Sequence, residues 1–129
     1  MHQRMLFAIL FFTWLAALLV LTYYPDLPDM KIRVRNEWFR LDYIGHIGFY
    51  AGLAVFFLIW RTGWRAKIPG RLMLLTILGG LILGTANEFA QRPIPGRSFN
   101  PVDMACNFAG ILVGVAAVYA LSQSVRRET

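Results

Sequence analysis

Residues 5–24 read MLFAILFFTWLAALLVLTYY, twenty consecutive positions without a charged side chain. A helix rises about 1.5 Å per residue, so a run of this length crosses a hydrocarbon core of about 30 Å. A secretory signal peptide has a shorter apolar region of about 7 to 15 residues, followed by a small-residue cleavage site. Tyr23-Tyr24-Pro25 is not such a site. The run therefore predicts a membrane-spanning helix.

Three further segments have the same apolar character, and they predict spans at residues 42–60, 72–91 and 101–122. Backbone groups inside lipid must be hydrogen-bonded within the protein, and the alternating ten-residue segments of a β-barrel are absent from the sequence. The fold class is therefore all-α, a bundle of four transmembrane helices. We find no internal repeat and no long linker, so residues 1–129 are expected to form a single membrane domain.

The composition supports the same interpretation. Of the 129 residues, 57% are hydrophobic and 16% are charged, whereas soluble domains have about 45 to 50% and about 25%. This chain has too few polar side chains to cover a soluble globule. The single cysteine excludes an intramolecular disulfide scaffold. The net charge of +6 is explained by membrane-flanking loops, so no nucleic-acid partner is predicted.

Four spans place both termini on one side of the membrane. That side carries seven Lys and Arg residues and the opposite side carries six, which favours cytoplasmic termini by a margin of one. The loop between the second and third spans supports this orientation because it has four cations and no acid. In the first loop, residues 30–35 alternate between apolar and basic side chains. This alternation suits a short strand or an interfacial segment.

Polar residues gather at the span ends on the side opposite the termini. An ionisable residue at the bilayer centre costs about 2.5 to 3.5 kcal/mol, so such residues in or near a span suggest function. Within each helix they are spaced three or four residues apart and share a face. The set is Asp42, His46, Glu88, Gln91, Arg97, Asp103 and Asn107.

Structural explanations compete with functional ones for several of these residues. Asn100-Pro101-Val102-Asp103 is typical of a helix start, with Asn100 as N-cap, so Asp103 could serve only the cap. Asp42 has the same alternative explanation, and His46 could simply bond to a backbone carbonyl. Glu88 opposes the helix dipole at a C-terminal end and needs a partner. The candidate partners are Arg97, His46 and Arg92.

Pairs of glycines spaced four apart occur in the last three spans, at 48/52, 80/84 and 110/114. Such faces allow close helix packing. Close packing of the third and fourth spans would bring Glu88 and Asn107 toward each other. The same faces also suit homo-oligomerisation.

Four motifs in this order resemble the VanZ-like family of bacterial integral membrane proteins. They are DYIGH at 42–46, EFAQ at 88–91, PGRSF at 95–99 and DMACNFAG at 103–110. The resemblance runs from about residue 40 to residue 115. Tyr43 stands where the family often has Lys, and Asn100 where an acid is common.

The resemblance implies a multi-pass protein of the bacterial inner membrane. The family takes its name from a protein linked to low-level resistance to teicoplanin, a lipid-tailed glycopeptide that acts on cell-wall precursors at the outer face. The resemblance implies that the seven polar residues above are candidate ligand-binding positions. The expected ligand is amphipathic, such as a lipid headgroup, a lipid-linked wall precursor or a lipoglycopeptide. Arg97 would offer donors to an anion, although Asp42 and Asp103 would favour amides, hydroxyls or a cation.

A membrane hydrolase or transferase is the alternative, with His46 as general base and Asp42, Glu88 and Asp103 as further catalytic candidates. No nucleophile motif supports it, so enzymatic activity stays open. A hard metal on the three acids is conceivable, whereas zinc is disfavoured because the cluster has one histidine. No cofactor is predicted. A small dimeric transporter fits less well, because Glu88 lies at a span end and not near the midplane.

Overall fold

A computed structural model of the chain describes residues 2–25, 31–34, 37–63 and 67–127. It confirms the all-α class and the four long helices. In chain order the elements are α1 (His2–Tyr23), β1 (Lys31–Val34), β2 (Glu37–Arg40), α2 (Asp42–Thr62), α3 (Gly70–Ala90) and α4 (Pro101–Arg127). By length and composition each helix is able to span a membrane.

The helix bounds lie within three residues of the predicted spans except at the end of α4. That helix continues to Arg127, five residues beyond the predicted end at 122. The sequence SQSVRR at 122–127 contains no glycine or proline to stop the helix. The hydropathy pattern locates where the apolar segment ends, and the helix itself goes further.

A β-hairpin precedes α2. β1 and β2 pair antiparallel, with Lys31 opposite Arg40 and Val34 opposite Glu37. The alternation at 30–35 thus corresponds to a strand at Lys31–Val34, while residues 30 and 35 lie outside the described part of the chain. The second strand was not predicted. The hairpin belongs to the same end of the bundle as the start of α2.

The second helix is the centre of the bundle, since it packs against α1, α3 and α4, while α3 also packs against α4. Glycines set the closest approach. A Cβ on Gly110 or Gly114 of α4 would meet the backbone carbonyl oxygens of Ile47 and Ala51 on α2. The α4 glycine pair therefore packs against the backbone of α2, and the α3 pair faces α4, where a Cβ on Gly80 would meet Ile111.

The first helix is held mainly by aromatic contacts. The Trp14 Nε1–H donates to the carbonyl of Phe49 at 2.8 Å, and the Trp14 ring covers Gly52. Nearer the N-terminus, the rings of Phe11 and Trp60 stack with centroids 5.3 Å apart. Leu18 is the one fully buried residue described in α1. Most of the α1 surface is thus left for lipid.

Candidate functional site

The C-terminal end of α3 and the N-terminal ends of α2 and α4 meet at one end of the bundle, and their polar side chains form a buried cluster. Glu88 has 0% of its surface exposed, and Asn107 has 2%. Asp103 is 7% exposed, and His46 lies partly at the surface. Four of the seven predicted site residues are thereby brought together. We call these four the polar cluster: His46, Glu88, Asp103 and Asn107.

Asn107 is the bridge of the polar cluster. Its Oδ1 lies 2.8 Å from Nδ1 of His46, and its Nδ2 donates to Oε1 of Glu88 at 3.4 Å. Because Oδ1 of an amide only accepts, Nδ1 of His46 carries the proton in this arrangement. The neutral ring then has its lone pair on Nε2. One amide therefore links α2, α4 and α3, and it orients the histidine.

Glu88 also forms a hydrogen bond with the residue that precedes α4. Its Oε2 accepts a hydrogen bond from the backbone N–H of Asn100 at 3.4 Å. The side chain of Asn100 accepts from the N–H of Val102 at 3.0 Å, which confirms the predicted N-cap. Of the partners considered for Glu88, His46 is linked to it by hydrogen bonds through Asn107 and also interacts with it electrostatically. Both direct partners of the carboxylate come from the α4 segment.

Asp103 has no hydrogen-bond partner for one of its oxygens. Oδ1 is buried and unbonded among the described residues, and Oδ2 lies 3.8 Å from Nε2 of His46, too far for a hydrogen bond. In a capping box the acid at this helix position would accept from the N-cap backbone N–H. Here that N–H of Asn100 donates to Glu88. A capping-box hydrogen bond therefore does not account for Asp103, while its position in the first turn of α4 still suits the helix dipole.

Arg97 lies outside the polar cluster and binds the end of α1. Its Nη2 donates to the carbonyl of Leu21 at 2.9 Å and its Nε to that of Tyr24 at 3.3 Å. These carbonyls belong to the negative end of the helix dipole, where a cation is favourable. Within the described ranges, Arg97 forms no ion pair with Glu88.

Arg92 is likewise separate from Glu88. Its guanidinium lies over the rings of Phe89 and Phe99, with distances to the centroids of 4.4 and 5.1 Å. Both arginines considered as partners of Glu88 are thus engaged with other groups.

Asp42 and Gln91 occupy the margins of the site. Asp42 forms an ion pair with Arg40 at 2.7 Å, and its side chain is 23% exposed. The hydrogen bond that Arg40 donates to this carboxylate raises the pKa of its guanidinium above the ordinary value. Gln91 is buried directly after the last residue of α3. The charge of Asp42 is compensated at the surface by its neighbour.

A second polar network was not predicted. The Tyr23 hydroxyl donates to Oδ1 of Asn87 at 2.9 Å, and Nδ2 of Asn87 donates to the Tyr50 hydroxyl at 2.9 Å. A Cβ on Gly84 would meet both Tyr50 and Asn107, so the network adjoins the polar cluster. Two sequence signals were available: Tyr50 follows His46 by one helical turn, and Asn87 is an amide inside an apolar span. Neither side chain carries a charge at neutral pH, so the cost of burying a charge does not mark these positions in the sequence.

The described residues contain no group of three or more His, Cys, Asp or Glu side chains placed to hold a metal ion. The ion pair with Arg40 also occupies Asp42, one of the three acids considered for a hard metal. Comparisons of the chain with profiles of known families, with curated proteins and with solved structures found no match.

Proposed function

We propose that this chain is a VanZ-like protein of the bacterial envelope that binds an amphipathic ligand at the polar cluster. The ligand classes are a lipid headgroup, a lipid-linked wall precursor and a lipoglycopeptide such as teicoplanin. The observation that carries the proposal is Oδ1 of Asp103, a buried carboxylate oxygen without a partner in the described chain. Buried polar atoms are nearly always hydrogen-bonded, so an unbonded one suggests a bound group.

The chemistry of the polar cluster favours a ligand that donates hydrogen bonds. Glu88 and Asp103 contribute two carboxylates, and Nε2 of neutral His46 adds a further acceptor. Arg97, which would have attracted a phosphate, donates to the carbonyls of α1. We therefore assign the site to hydroxyl, amide or amine groups of the ligand. The sequence alone also allowed an anionic ligand, because Arg97 would offer donors to an anion. The hydrogen bonds of Arg97 to α1 now favour a ligand that donates hydrogen bonds.

Access and orientation support a site at the outer face. The His46 side chain is 21% exposed, so it is the accessible edge of a cluster whose other members are buried. The distribution of cations favours cytoplasmic termini, and with that orientation the polar cluster would face the outer side of the membrane. A ligand lying in the outer leaflet would then meet His46 first.

The test is teicoplanin susceptibility in a Gram-positive host that expresses the full chain. A glycopeptide without an acyl tail serves as the matched drug, and the chain is quantified in membranes by immunoblot. We expect the wild type to raise the inhibitory concentration of teicoplanin alone. His46→Gln and Asp103→Asn should abolish the increase at unchanged abundance. Asp42→Asn removes the same charge at the same end and should retain it.

Two outcomes would count against the binding site. In one, the wild type gives no protection at normal abundance. In the other, His46→Gln and Asp103→Asn protect as well as the wild type does. Loss of phenotype together with loss of protein would assign those residues to packing.

A hydrolase or transferase is the second candidate, because Asn107 fixes the His46 ring and leaves Nε2 to accept a proton. Ser98 is exposed and lies in the loop before α4, and no hydrogen bond among the described residues joins a serine, threonine or cysteine side chain to His46. Water would have to serve as the nucleophile. Product release from a headgroup-labelled lipid, lost in His46→Gln while binding persists, would favour this candidate over simple binding.

A further inference from the structure

When the His46 ring is neutral and Nδ1 donates to Asn107, Nε2 of His46 and Oδ2 of Asp103 are two neighbouring hydrogen-bond acceptors in the polar cluster. Nε2 of His46 and Oδ2 of Asp103 are 3.8 Å apart. One nitrogen at about 2.8 to 2.9 Å from each atom would subtend an angle of about 85° between them. The tetrahedral N–H directions of an ammonium then deviate by only about 12° per bond, well inside the range of good hydrogen bonds. A single donor group with two hydrogens therefore meets the distance and angle requirements of both acceptors.

The charge of the cluster distinguishes a cationic donor from a neutral one. Glu88 is bonded to two neutral donors, the amide of Asn107 and the backbone N–H of Asn100. Asp103 has the buried Oδ1 without a partner in the described chain. Its side chain is only 10% exposed, so water screens it poorly. Arg40 interacts with Asp103 electrostatically, and a positive group between His46 and Asp103 would add a direct hydrogen bond to the carboxylate.

We propose that His46 and Asp103 bind the protonated primary amine of a ligand, with Nε2 and Oδ2 as the two acceptors. This rests on the proposed ligand-binding function and specifies the group that is recognised. The amine belongs either to the headgroup of an aminolipid or to a free amine. A quaternary ammonium has the same charge but no N–H, so it cannot bond to both acceptors. That difference supplies a matched probe.

The first experiment compares ethanolamine with choline on the full chain in phosphatidylcholine nanodiscs. His2→Gln leaves His46 as the only histidine, and ¹⁵N NMR then follows its Nε2 resonance. We expect ethanolamine to shift this resonance with saturation and to raise the unfolding midpoint, while choline does neither. Equal effects of the two probes, or no effect of either, would overturn the proposal. This comparison needs no substitution at the site.

A second arm identifies the source of the amine. Replacing part of the phosphatidylcholine with phosphatidylethanolamine should produce the same Nε2 shift if an aminolipid is the ligand. A shift with ethanolamine alone assigns the site to free amines, and a shift with both assigns it to the amine group irrespective of its carrier. Amine recognition is retained in the two results in which ethanolamine shifts the resonance, and the absence of a shift with ethanolamine overturns it, as in the first experiment.

Variants then test the charge. Asp103→Asn should weaken ethanolamine binding about tenfold or more, because a charge-assisted hydrogen bond is lost. Asp42→Asn removes a carboxylate at the same end whose partner is Arg40, and it should bind as the wild type does. Equal weakening by both would reduce the effect to general electrostatics and overturn the assignment.

The inference and the proposed function fail in different ways. Amine binding without teicoplanin protection would retain the inference and contradict the resistance role. Protection that depends on His46 and Asp103, with no difference between ethanolamine and choline, would do the opposite.

Discussion

The backbone N–H of Asn100 donates to Oε2 of Glu88 at 3.4 Å, so a carboxylate from the last turn of α3 holds the N-cap residue of α4. The other oxygen of the same carboxylate accepts from Asn107, one turn beyond Asp103. Two points near the start of α4 are thus fixed by one side chain. The position of Asp103 and Asn107 relative to His46 depends on that attachment.

Removal of the Glu88 carboxylate should loosen this junction. Glu88→Ala leaves two donors unpaired in a water-poor environment, and we expect a loss of about 1 to 3 kcal/mol in the free energy of unfolding. Glu88→Gln keeps one acceptor and should lose less. Unfolding in mixed micelles measures the stability of the three proteins, which should decrease from the wild type to Glu88→Gln and then to Glu88→Ala. Equal stability of all three proteins would contradict a structural role for the carboxylate.

The contact between α2 and α4 should tolerate no side chain at Gly110. A methyl group there would meet the carbonyl oxygen of Ile47, so Gly110→Ala should cost about 1 to 3 kcal/mol by separating the two helices. Gly48→Ala is the matched control, because nothing lies within 4 Å of the position that its Cβ would take. We expect the control to unfold as the wild type does. A destabilised Gly48→Ala with an unaffected Gly110→Ala would contradict this packing.

The guanidinium of Arg97 should act on α1 and leave the polar cluster unaffected. Arg97→Ala frees the carbonyls of Leu21 and Tyr24, so amide hydrogen exchange in the last turn of α1 should rise several-fold. Arg92→Ala, which loses only ring contacts, should leave this exchange unchanged. The His46 resonance should be the same in all three proteins. A change in that resonance with Arg97→Ala would bring Arg97 back to the candidate site.

The hydrogen bonds among Tyr23, Asn87 and Tyr50 should stabilise the fold. The two tyrosine hydroxyls should contribute unequally to the free energy of unfolding. Tyr50→Phe leaves the buried amide of Asn87 without an acceptor and should cost about 1 kcal/mol. Tyr23 is 38% exposed, so water can replace its hydroxyl and Tyr23→Phe should cost less. Chemical denaturation of the two variants and of Asn87→Ala provides the comparison. A larger effect for Tyr23→Phe would contradict the burial argument.

The orientation is tested with single cysteines in a Cys106→Ala background. Ser98 lies in the loop between α3 and α4, Lys67 lies in the loop between α2 and α3, and both are exposed. With cytoplasmic termini, an impermeant maleimide added to intact cells should label Ser98→Cys and not Lys67→Cys. Labelling in permeabilised cells shows that both thiols are reactive. The reverse pattern would place the polar cluster at the cytoplasmic face.

The fold and the meeting of Glu88 with Asn107 were accessible from sequence for a simple reason. Hydropathy determines which segments enter lipid, and the number of spans determines which helix ends share a side. The glycine stripe at 80 and 84 ends at Glu88, so packing of α3 against α4 carries this residue inward.

The hydrogen-bond partners of the arginines could not be predicted in the same way. Arg97 follows Glu88 by nine residues, but a loop decides its direction, and the carbonyls at the end of α1 compete for its donors. The glycines at 110 and 114 were expected to serve the packing of α4 against α3, but they contact the backbone of α2 instead. Small residues permit a close approach of two helices but do not determine which helix packs against them. In this chain that helix is α2.

The two ends of the bundle are held by different forces. Hydrogen bonds of Glu88 and Asn107 join the helices at one end, whereas the rings of Phe11 and Trp60 stack toward the other. Water competes with the hydrogen bonds, whereas it strengthens the apolar contact between the rings. A change in bilayer thickness should therefore affect the two ends of the bundle differently. A thinner membrane should admit water to the hydrogen-bonded end and weaken the attachment of the start of α4, while the contact between the rings of Phe11 and Trp60 should persist. The lipid composition of the cell would thereby affect the distance between Nε2 of His46 and Oδ2 of Asp103.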